Sequence, residues 1–114
     1  MTPETFRKMA LALPETCEAA HGGHPDFRVG KKVFASLGYP DNAHGMVKLT
    51  PEQQQRYMSS KPAIFSPAAG AWGRGGSSLV TLRGATQSMV RQALRDAWRN
   101  VASPGLLRKH QDKV

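Results

Sequence analysis

Apolar residues recur along the chain at two different periods, and the changes between them outline the elements. Phe6, Met9, Ala10 and Leu13 fall at helical spacing and form one stripe. Ahead of them, Thr2-Pro3-Glu4 offers a capping hydroxyl, a proline at the first helical position and an acid near the positive end of the dipole. Pro14 is expected to stop this helix, because its ring disfavours a helical backbone at Leu13. From Glu18 to Thr50 the texture becomes short apolar runs broken by Gly, Pro, Asp and Asn. The runs Asp26–Val29 and Lys32–Leu37 flank Gly30-Lys31, which predicts a type II′ hairpin with Phe27 opposite Phe34. A turn at Tyr39-Pro40-Asp41-Asn42 and a strand over Gly45–Leu49 follow.

The second half begins with Thr50-Pro51-Glu52-Gln53, a T-x-x-Q capping box that opens a helix ending near Ser60, ahead of Lys61-Pro62. Pro67 to Gly76 reads PAAGAWGRGG; its four glycines predict a mobile loop. A strand over Ser78–Arg83 places Leu79 and Thr81 on one face and Val80 and Leu82 on the other. The clearest element runs from about Thr86 to Val101. Val90, Ala93, Leu94, Ala97, Trp98 and Val101 share one helical face, while Arg91, Arg95 and Arg99 follow at i, i+4, i+8 along its flank and polar side. Pro104-Gly105 is expected to end that helix, with LLRKH adding a last turn. The pattern shows no internal repeat and no boundary, so residues 1–114 are read as a single domain, a size that supports one modest core.

Charge changes this picture. The chain carries +8, unevenly spread: residues 1–60 hold seven basic and six acidic side chains, residues 61–114 nine basic and two acidic. The C-terminal half also favours arginine, at Arg74, Arg83, Arg91, Arg95, Arg99 and Arg108, over lysine. A planar guanidinium fork suits phosphate and stacks on bases. A polyanionic partner and a solubility surface both account for such an excess. No apolar run approaches the ~20 residues of a membrane span and no signal-peptide pattern is present, so a cytoplasmic protein without a membrane partner is expected.

Candidate chemistry is sparse. His21 and His24 sit in a Gly-Pro segment that fixes no common helical face, and His44 and His110 are distant in sequence. With the single Cys17 ruling out a cysteine-cluster zinc site, no metal or other cofactor is expected. Cys17 itself is read as a small half-buried side chain just after the first helix. There is no G-x-S-x-G elbow and no assignable acid–base pair, and GRGGSS at Gly73–Ser78 lacks the Gly-Lys-Ser/Thr ending of a phosphate loop. Enzymatic activity is therefore not expected. Trp72 and Arg74 on the glycine-rich segment combine a ring and a cation, the pairing used on single strands. Trp72 reads equally as a plug folded onto the core.

The segments HGGHPDFRVGKKVFASL (21–37), VKLTPEQQQ (47–55), FSPAAGAWGRGGSSLVTL (65–82) and ALRDAWRNVASPGLL (93–107), with TPETFRKMALALPE at the start, resemble the MmcQ/YjbR-like family over nearly the whole chain. The resemblance implies an α+β fold: an antiparallel β-sheet meander packed against N-terminal and C-terminal helices, likened to double-wing DNA-binding domains. It supplies no catalytic residues. The chain departs from the family pattern near Ser77, where a tryptophan is expected after the glycine.

The leading expectation is a nucleic-acid-binding protein, with DNA as partner. Its nucleic-acid contacts would come from Arg28, Lys31 and Lys32 on the hairpin, from Trp72 and Arg74 on the loop, and from Arg91, Arg95 and Arg99 on the helix. Two alternatives stand beside it. One is a small-molecule-binding protein with Trp72, Phe65 and Tyr57 lining a pocket; the other is a module whose wings dock another protein. A monomer or weak homodimer fits all three.

Overall fold

The local signals at the helix starts are realised in the structure, a computed structural model that describes residues 1–114. Thr2, Thr50 and Thr86 each accept a hydrogen bond from the amide three residues on, and Thr50 and Gln53 close the reciprocal capping box. In chain order the elements are α1 (Pro3–Leu11), β1 (Thr16–His21), β2 (His24–Val29), β3 (Lys32–Leu37), β4 (His44–Lys48), α2 (Pro51–Ser60), β5 (Phe65–Pro67), α3 (Gly70–Arg74), β6 (Ser77–Thr81), α4 (Gln87–Val101) and α5 (Pro104–Lys109). No helix is long and apolar enough to cross a membrane.

All six strands join one antiparallel sheet in the order β1-β2-β3-β4-β6-β5. Helices α1 and α4 lie over β3 and β4, and α2 lies over β5 and β6. The alternation of side chains decides what each face does. Gly45 and Val47 on β4, and Ser78 and Val80 on β6, turn to the helices and are buried, whereas Met46 and Leu79 turn to the uncovered face and stay half-exposed. Twenty buried residues form one continuous cluster between sheet and helices, with Phe6, Phe27, Phe34, Leu94 and Trp98 among the largest. Each such side chain contributes about 1.5–3 kcal/mol of burial. The Trp98 indole N–H donates to the Pro14 carbonyl at 3.0 Å, which ties the end of the first helical segment to α4.

Four expectations need correction. The Gly30-Lys31 turn has positive φ at both residues, +58° and +69°, so it is type I′ rather than II′. Phe27 does not face Phe34: a bulge sets Phe27 opposite Ala35 while Arg28 stays opposite Val33. The cause lies in β3 itself. Phe34, Ala35 and Leu37 are all buried, and strict alternation would bury Phe34 and Ser36 while turning Leu37 outward. The segment after α1 forms an edge strand, β1, on which Cys17 is exposed rather than half-buried. Within Pro67–Gly76 the chain makes helix α3 instead of a mobile loop. The expected end of α4 before Pro104 and the last turn over LLRKH are both present, the latter as α5, with Pro104 in its first turn and Ser103 as its cap.

Candidate nucleic-acid interface

On α4 the apolar face is centred on Val90 and Ala97, and at ~100° per residue the side opposite it carries Arg95, Arg99 and Gln92. Arg91, Arg95 and Arg99 are all exposed and none forms an ion pair. At 1.5 Å rise per residue they span about 12 Å along the axis. The adjoining flank of α4 is used internally. Asp96 accepts the Tyr57 hydroxyl at 2.7 Å, and the Asn100 amide donates to the Lys48 carbonyl at 2.9 Å and to Gln53 Oε1 at 2.7 Å, joining α4 to β4 and α2. Arg99 and Arg108 of α5 both line a cavity of about 320 Å3, together with Trp98 and Leu107.

Why these arginines lack partners follows from where the acids went. Glu4 and Glu18 hold Arg7, Asp26 holds Arg28, Asp41 meets His44, and Glu15 meets both Lys109 and His110. These contacts pull the Glu15 and Asp41 carboxyls below their ordinary range, in each case first through the hydrogen bond from histidine. All but three of the sixteen Lys and Arg side chains are left without an acidic partner.

The β2–β3 hairpin divides the candidates placed on it. Lys31 and Lys32 are exposed at the tip. Arg28 is not available. Its Nε and Nη2 donate to the two Asp26 oxygens at 2.8 and 3.0 Å, and those bonds raise the guanidinium pKa further. Residues 26 and 28 share a strand face, and Asp26 is only 3% exposed, so its charge requires this fork. Arg28 is therefore withdrawn from the set of phosphate contacts.

Trp72 and Arg74 stand on α3, and Trp72 is 69% exposed, which excludes the core-plug reading. The residue that positions them was missed from the sequence. Gln54 is buried, and its Nε2 donates to Gly73 O at 3.0 Å and to Ser77 O and Ser78 Oγ at 3.1 Å each. The run Gln53-Gln54-Gln55 gives one capping residue, one buried anchor and one exposed side chain, and nothing local distinguishes them. Two glycines complete the clamp. A Cβ at Gly73 would lie 1.8 Å from the Ala68 carbonyl oxygen, and one at Gly76 would lie 2.1 Å from that of Leu49.

A family model, YjbR, matches residues 11–100. The chain belongs to the YjbR family. No curated protein matches it. Among solved structures it is similar to the crystal structure of Deinococcus radiodurans protein DR2400, whose family-model domain is DUF419. That match has a TM-score of 0.75 at 18% identity, covering 98% of this chain and 86% of the other. Likeness at that level carries the fold alone.

Within this YjbR fold the histidines are scattered among separate tasks. His21 and His24 pair across the two-glycine turn between β1 and β2, and the His24 ring meets Tyr39 edge-on at 6.3 Å. His44 contacts Asp41 at 2.7 Å and His110 contacts Glu15 at 2.6 Å. No three His, Cys, Asp or Glu side chains come together. The pocket expected around Trp72 is not formed by its three residues. Phe65 is buried, the Tyr57 ring packs on it at 4.8 Å, and Trp72 points away into solvent.

Proposed function

We propose that this YjbR protein is a non-catalytic DNA-binding module that grips the phosphate backbone through its basic C-terminal half. The supporting observation is the outward row of Arg91, Arg95 and Arg99, all exposed and free of acidic partners. A 12 Å row matches roughly three to four phosphates of one strand at 3.4 Å axial rise. Arg108 of α5 lines one cavity with Arg99, and Lys31 and Lys32 offer further cations at the hairpin tip. Such contacts read charge and spacing rather than base sequence.

Fluorescence anisotropy of labelled duplex DNA at 50 and 200 mM salt tests this. Contact with six or more phosphates weakens binding by ~10³-fold over that range. The triple Arg91→Ala/Arg95→Ala/Arg99→Ala variant should lower the slope of log affinity against log salt by about three. Unchanged affinity in that variant, or binding indifferent to salt, would remove the proposal.

A further inference from the structure

Of the two tryptophans, Trp98 is 1% exposed and Trp72 is 69% exposed. An indole left in solvent on a rigid mount is a surface waiting for a flat, apolar partner. The mount is held by the contacts of α3: the Gln54 amide donates to the carbonyls of Gly73 in its last turn and of Ser77 just after it, and Gly73 and Gly76 sit in contact with backbone. The indole stacks on no other ring, since the aromatic pairs are Phe6–Phe27, His24–Tyr39, Tyr57–Phe65 and Trp98–His110. Its sequence neighbours are Ala69, Gly70, Ala71, Gly73, Arg74 and Gly75, so apart from Arg74 no bulky side chain is adjacent to cover it. The charge along this part of the sequence has one sign. Between Glu52 and Asp96 the chain has no acidic side chain but carries Arg56, Lys61, Arg74, Arg83, Arg91 and Arg95.

From this we infer that α3 is a stacking platform for an unpaired base, and that single-stranded nucleic acid is the partner that occupies it. The inference rests on the phosphate-binding reading above and adds to it. Arginines recognise a backbone whether or not its bases are paired, but an indole face is complementary only to a base that has left its stack. Trp72 takes the base, Arg74 lies two residues away for the adjoining phosphate, and pre-organisation of α3 lowers the ordering cost of binding.

The test uses the full chain, a twelve-nucleotide oligothymidylate and a duplex of equal length, with tryptophan emission and anisotropy read together at 50 mM salt. Oligothymidylate should quench the long-wavelength emission of the exposed indole. Trp72→Ala should weaken single-strand binding by roughly 5- to 100-fold. Duplex affinity should stay within about twofold, and Trp72→Phe should retain most single-strand affinity. Because Trp72 is exposed, the variants are expected to fold, which circular dichroism checks directly. Unquenched emission with unchanged affinity in Trp72→Ala would overturn the stacking platform, and duplex binding lost with the α4 arginines would leave the phosphate reading standing. Equal loss for both oligonucleotides would also overturn it. So would polyglutamate binding as tightly as oligothymidylate with the same quenching, which would point to an acidic protein instead. Failure of both oligonucleotides to bind would remove the underlying reading and this inference with it.

Discussion

Replacing Gln54 by glutamate changes one NH2 group to oxygen at the point where α2 grips α3, and the consequence can be worked from the contacts. The amide nitrogen faces two carbonyl oxygens and one hydroxyl, at 3.0, 3.1 and 3.1 Å. The hydroxyl, Ser78 Oγ, already donates to the Gly76 carbonyl at 2.8 Å, so nothing nearby offers the new oxygen a proton. The introduced carboxyl must therefore be protonated in the folded state or sit as an anion against carbonyl oxygens. If it stays protonated at pH 7 while its unfolded counterpart ionises near 4.3, folding loses about 2.7 × 1.36, or roughly 3.7 kcal/mol. The protonated acid has one donor where the amide had two, adding about 1 kcal/mol. The expected loss is thus ~4–5 kcal/mol at pH 7.

The sign of the pH dependence follows. The introduced carboxyl has a folded pKa raised above its unfolded value, so its stabilising proton is fully present below pH ~4.3 and is lost as pH rises through the folded pKa. The penalty relative to wild type should shrink to about 1–1.5 kcal/mol at pH 4. Urea unfolding followed by far-ultraviolet circular dichroism at both pH values measures it. Gln54→Ala serves as control, with a loss of about 2–3 kcal/mol at either pH. A deficit under 1 kcal/mol for Gln54→Glu at pH 7, or an equal deficit at pH 4 and pH 7, would refute the role given to this amide.

Two further substitutions probe the elements around the interface, beyond the arginine and Trp72 experiments above. Lys31→Gly frees a left-handed backbone at φ +69° and should raise stability by about 0.5–1 kcal/mol in thermal melts; a lowered melting temperature would contradict the turn assignment. Tyr57→Phe removes the hydroxyl that Asp96 accepts at 2.7 Å and should cost about 1.5–3 kcal/mol in urea at pH 7. Burial, and then the bond to Asp96, push the Tyr57 pKa upward. The Tyr57 contribution is accordingly full below the ordinary tyrosine pKa of ~10 and is lost as pH rises through the raised value, so wild type and Tyr57→Phe should converge in alkaline solution.

What was legible in the sequence is what local chemistry decides. Thr2, Thr50 and Thr86 mark helix starts because a cap is made within four residues, and the apolar period of α4 survives because one face meets one sheet. Strand β1 was not legible. TCEAAH neither alternates nor contains more than one β-branched residue, and it is extended because β2 presents an edge to pair with. The β3 bulge was equally hidden, since it answers a demand of the core that Phe34, Ala35 and Leu37 all be buried. Glycine misled in α3. At Gly73 and Gly76 its small size serves close backbone contact, whereas the sequence alone reads the same residues as freedom. The Arg28–Asp26 pair, by contrast, was available to the alternation rule, because strand residues two apart share a face.

The charge of the proposed interface could be read in the sequence, but its frame could not, and the frame decides whether the charges act together. Three amide side chains build it. Asn100, next to Arg99, reaches the end of β4 and the Gln53 side chain; Gln53 caps α2; and Gln54, one residue on, holds the last turn of α3 and the residues that follow it. The C-terminal end of α4, the first turns of α2 and the Trp72 turn are therefore referenced to one another by directional hydrogen bonds. Apolar packing would fix the burial of these elements without fixing the orientation of what they carry outward, because it is non-directional. Amide groups with carbonyl partners fix orientation, and neither amides nor arginines change charge across neutral pH. An acidic frame would have paired with the very arginines it was meant to present. Asn and Gln hold the elements in register and leave Arg91, Arg95 and Arg99 uncompensated, the condition a phosphate backbone requires.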